Sequence, residues 1–70
     1  MNDLNEVLYP EVRVQLSGGD GNVFAILSAV RRGLALYGVP KEEIERFVRE
    51  ATADDYDHLM TTVQKWVEVY

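Results

Sequence analysis

The chain has 70 residues and no cysteine, and its twelve acidic against seven basic side chains give a formal net charge of -5. That length allows a single domain, which buries only roughly 60% of its unfolded surface and depends on tight helix packing or self-association for stability. The missing cysteine excludes disulfides and thiolate metal sites and fits a cytoplasmic setting, while the acidic balance disfavours direct nucleic-acid binding.

Residues 1–10 show no clear periodicity and predict a flexible N-terminal arm ahead of one globular domain over residues 11–70. They lack the basic start and apolar core of a signal peptide. The largely apolar stretch from Val23 to Val30 is far shorter than the ~20 residues a membrane span needs, so no membrane association is expected. Val12-Arg13-Val14-Gln15-Leu16 alternates apolar and polar residues at period two, the pattern of a half-buried strand. Ser17-Gly18-Gly19-Asp20-Gly21-Asn22 follows as a turn rich in residues that tolerate positive φ.

A helix is predicted from Val23, with Val23, Leu27, Val30, Leu34 and Tyr37 on one stripe and Ile26 beside it. Gly38 stops it, and Val39-Pro40 opens a second helix. Ala25, Ala29 and Leu36 lie roughly opposite the main stripe, so this first helix is apolar nearly all round. Such a helix is either central to the fold or partly buried in an oligomer. The central position is preferred here, because three helices and two strands can enclose it. The alternative is self-association through Ala25, Ala29 and Leu36, giving a homodimer.

Ile44, Phe47, Val48 and Ala51 form the buried stripe of the second helix, with Glu42–Arg46 and Glu45–Arg49 as expected outer pairs. Asp54 or Asp55 caps a third helix whose stripe is Tyr56, Leu59, Met60, Val63 and Val67, with Trp66 at its edge. Residues 66–70 alternate again and are expected to pair with the first strand. The fold class is therefore α+β: strand, three helices and a short strand, mainly helical.

The Gly19-Asp20-Gly21-Asn22-Val23-Phe24 step has Phe24 where a dinucleotide fingerprint needs its third glycine, and no Walker lysine follows. Nor does it complete a calcium loop. It reads as turn and cap chemistry, and no cofactor is expected. His58, the only histidine, is placed on an exposed stripe with Asp54, Asp57, Thr61 and Lys65, a candidate protein-binding surface. An Asp54–His58 pair supplies two ligands at most, too few for a catalytic metal, and no serine is positioned for a triad.

The combination Val14-Gln15-Leu16-Ser17-Gly18, Asp20-Gly21-Asn22 with Phe24, Asp55-Tyr56-Asp57-His58-Leu59 and Trp66-Val67-Glu68-Val69 resembles a family of short, uncharacterised bacterial proteins, found in genomes and in phages or other mobile elements. The resemblance runs from Val12 to Val69 and departs from the family at Val23, where a small residue is usual. It implies a reproducible small fold and supplies no mechanism. The leading expectation is a non-enzymatic protein-binding or regulatory module. An acidic inhibitor that mimics nucleic-acid charge is the alternative, and a metal-dependent enzyme centred on His58 comes last.

Overall fold

The computed structural model describes residues 7–16 and 21–70. Its order is β1 (Tyr9–Val14), α1 (Val23–Tyr37), α2 (Lys41–Ala51), α3 (Tyr56–Trp66) and β2 (Val67–Val69), the strand–three helices–strand succession expected from the pattern. The two strands pair in parallel, with Arg13 opposite Glu68 and Val14 opposite Val69. Backbone bonds extend the pairing past both strand ends, from Leu8 N–H to the Lys65 carbonyl and from Leu16 N–H to the Tyr70 carbonyl. Register slips between Tyr9 and Arg13, a span that holds Pro10, whose ring nitrogen has no hydrogen to donate. Of the segment read as an N-terminal arm, Tyr9 and Pro10 thus belong to β1, and residues 1–6 lie outside the described residues, as do residues 17–20 of the glycine turn.

Each helix end has a local cause. The Asn22 side chain accepts from Phe24 N–H at 2.8 Å and starts α1. Gly38, at φ 102°, closes it: Gly38 N–H reaches the Ala35 carbonyl and Val39 N–H the Leu34 carbonyl. That pair of bonds, with buried Val39 against Leu34, is the Schellman arrangement. Gly21, by contrast, has no positive φ, so the turn does not depend on it for a left-handed backbone. Pro40 precedes α2, and Asp55 caps α3 by accepting from His58 N–H at 2.9 Å.

The core lies where α1 and α3 pack on the two strands and α2 packs against both of those helices. Val12 and Val14 of β1 meet Val30 and Leu34 of α1, Phe47 of α2, and Leu59, Val63 and Trp66 of α3 in one buried cluster. Gly33 lets β1 approach α1 closely, since a methyl there would stand 3.0 Å from a Val12 methyl. Trp66 is the hub and not an edge residue: it is 1% exposed, stacks on Tyr9 and meets Phe47 edge-on at 5.3 Å between ring centres. The buried face of α3 is Leu59, Thr62, Val63 and Trp66, rotated from the expected stripe. Tyr56 is exposed and donates its hydroxyl to the Gly21 carbonyl, and Val67 already belongs to β2.

α1 is not enclosed. Leu36 is 83% exposed, Phe24 is 77% exposed, and Ala25 is open to solvent, whereas Ala29 packs partly against the core. A two-stranded sheet is too narrow to cover both flanks of this helix, which is why the expected central position fails. Tyr37, expected in its buried stripe, is half exposed and meets Tyr9 edge-on. Neither expected charge pair of α2 forms; Arg46 pairs with Glu43 at 3.4 Å and lies over the Trp66 ring.

Candidate functional site

The stripe expected on α3 divides in two. Asp54, Asp57, Thr61 and Lys65 are exposed. His58 is half-buried, because α3 leans its first turns on the C-terminal end of α2. The His58 ring lies with Nε2 2.8 Å from the Glu50 carbonyl oxygen. A carbonyl only accepts, so Nε2 carries the hydrogen, and the Thr62 hydroxyl 3.4 Å away is secondary. Thr62 instead donates to the His58 carbonyl at 2.8 Å, a bond that lets its hydroxyl be buried.

Glu50 is the residue that the periodicity argument missed. Besides the carbonyl held by His58, its carboxylate accepts from Trp66 Nε1 at 3.3 Å and faces Lys65 Nζ at 3.7 Å. His58, Lys65 and Trp66 of α3 thus converge on one residue of α2, forming a clasp between the two helices. His58 is thereby drawn out of the solvated stripe, whereas Lys65 stays exposed while pairing with Glu50. The signal lay in the spacing of α3, where residues 58, 62, 65 and 66 share one side, but its target on α2 is a tertiary contact with no local mark.

The chemistry available to His58 is narrow in this arrangement. Its Nε2–H is committed to a backbone carbonyl, and no bond joins it to Asp54. Among the described residues no three His, Asp or Glu side chains are grouped to hold a metal ion. Elsewhere among the described residues the Glu11 charge raises the Tyr37 phenol above its ordinary value, with partial desolvation and a hydrogen bond to the same carboxylate adding to it.

The residues named for self-association do come together. Ala25, Ala29 and Leu36 border an open groove of about 550 Å³ between α1 and β1, which Gly33 also lines. Its lining combines apolar Val14, Ala25, Ala29 and Leu36 with the exposed polar residues Arg13, Gln15 and Arg32. No described helix is long and apolar enough to cross a membrane. No family model matches the chain, and neither does any curated protein or solved structure.

Proposed function

We propose that this chain is a small, non-enzymatic protein-binding module that engages its partner through the outer face of α1. One observation carries the reading: Leu36 stands 83% exposed beside Ala25 and Ala29, over a groove that Arg13, Gln15 and Arg32 also line. Before Tyr37, only Ser28, Arg31 and Arg32 of α1 have polar or charged side chains. Scattered exposed apolar residues are ordinary, but a leucine and two alanines bordering one concave strip resemble the centre of an interface. Covering Leu36 alone recovers about 1.5–3 kcal/mol. A second copy of the chain offers the same face, and two such faces pair symmetrically in a homodimer.

The engagement of His58 in the clasp supports the non-enzymatic part of the reading. Cytoplasmic residence and a mobile-element origin belong to the same proposal, resting on the absence of cysteine and on the family resemblance of the sequence. The test compares wild type with Leu36→Glu in sedimentation velocity over a concentration series and in affinity capture from the source cells. Wild type should self-associate or retain a specific protein, and the variant should lose both while keeping its helical circular dichroism. Identical sedimentation and identical capture for the two proteins would contradict the proposal.

A further inference from the structure

On the other flank of α1, against α2, lies a second groove of about 840 Å³. Arg31 and Arg32 enter it from α1, and Lys41 and Arg49 from α2, with Glu45 the only carboxylate among the described residues on its wall. Four of the chain's seven lysines and arginines therefore gather there against one carboxylate among the described residues. None of the four side chains makes an ion pair or hydrogen bond with a described residue, whereas Arg46 and Lys65, outside the groove, are both paired. The floor is apolar: exposed Ala35, half-buried Ile44 and Val48, and buried Val39. In a protein of net charge -5 this is a local inversion of sign around an apolar strip.

We infer that this groove receives an acidic amphipathic segment of a partner protein. Apolar side chains on one side of that segment rest on Ala35, Ile44 and Val48, and its carboxylates pair with the four cations around them. Guanidinium groups suit this role, since each can take a carboxylate through two parallel hydrogen bonds. A helix laid in a groove presents apolar and charged residues in the required alternation. A phosphate or a nucleic-acid backbone would satisfy the cations and leave the apolar floor wet. A purely apolar segment would cover the floor and leave the charges unpaired. Only an occupant with both features matches the whole surface. The inference rests on the reading of the chain as a protein-binding module. The two grooves share Arg32, but Arg31, Ala35 and Arg49 line only this one and Leu36 only the other, so variants there make the two fail separately.

The test is an amide-shift titration of the isotope-labelled full chain with a synthetic helical peptide that has leucines along one side and glutamates flanking them. Parallel titrations use the same peptide with lysines for glutamates, the same peptide with serines for leucines, inorganic phosphate and a short DNA duplex. The acidic amphipathic peptide should shift the amides of Arg31, Ala35, Lys41 and Val48, with an affinity that falls as salt rises. Binding should weaken about tenfold or more in Arg31→Glu/Arg49→Glu, and also in Ala35→Glu, an exposed helical position that keeps the fold. Leu36→Glu should leave it unchanged. The inference is overturned by no response to that peptide at about 1 mM, the weak limit of specific affinity. An equal response to the leucine-free peptide, phosphate or DNA overturns it too, as does unaltered binding by Ala35→Glu.

Discussion

Trp66 and Glu50 tie α3 to both α2 and β1. Trp66 is sandwiched between Tyr9 of β1 and Phe47 of α2 while its indole N–H is held by Glu50. Trp66→Ala should cost about 3–5 kcal/mol, enough to unfold a domain of this size, as measured by chemical denaturation. His58→Ala removes the bond to the Glu50 carbonyl and should cost about 1 kcal/mol, whereas Asp57→Ala, exposed beside it, should stay within about 0.5 kcal/mol. Equal and negligible effects of the two would return His58 to the solvated face that helical spacing assigned it. The Tyr37–Glu11 contact gives a pH reading. A raised phenol pKa means the folded state prefers the protonated form, so this contribution is present below the ordinary tyrosine value and is lost as pH rises through the folded one. Glu11→Gln should lower the Tyr37 midpoint in an NMR titration; an unchanged midpoint would mean the carboxylate is not its cause.

At the scale of elements, signals written in adjacent residues were legible and those set by distant partners were not. The caps at Asn22, Gly38 and Asp55 are local hydrogen-bond chemistry, and all three boundaries lie where that chemistry puts them. Gly38→Ala should cost about 1–2 kcal/mol through the left-handed backbone alone, because nothing stands near the added methyl. Gly33→Leu should act differently, forcing β1 away from α1, and should broaden the Val12 and Val14 amide signals before global unfolding. The face of α3 was misread because counting began at Tyr56, which serves as an outward latch to Gly21, and ran on to Val67, which is already strand. The clasp at Glu50 and the approach of β1 over Gly33 depend on how helices and strands meet, which periodicity does not encode.

Across the whole molecule, the radius of gyration of 11.4 Å is close to the value of about 11 Å expected for a folded chain of this length. The pattern of strands and helices placed the candidate surface residues Ala25, Ala29 and Leu36 together, but it enclosed them, since a sequence shows that a helix has two apolar faces without showing how wide the sheet beside it is. Here one face of α1 meets the core and the other is left to solvent between two grooves, one lined by apolar and polar residues and one cationic. The protein itself leaves this outer face of α1 uncovered. Thermal unfolding of Leu36→Glu at high dilution, where association is negligible, tests that exposure most directly. The variant should keep a stability within about 0.5 kcal/mol of wild type, because an exposed carboxylate remains solvated. A loss of several kcal/mol, as burial of an unpaired carboxylate demands, would contradict it by showing that the chain covers Leu36.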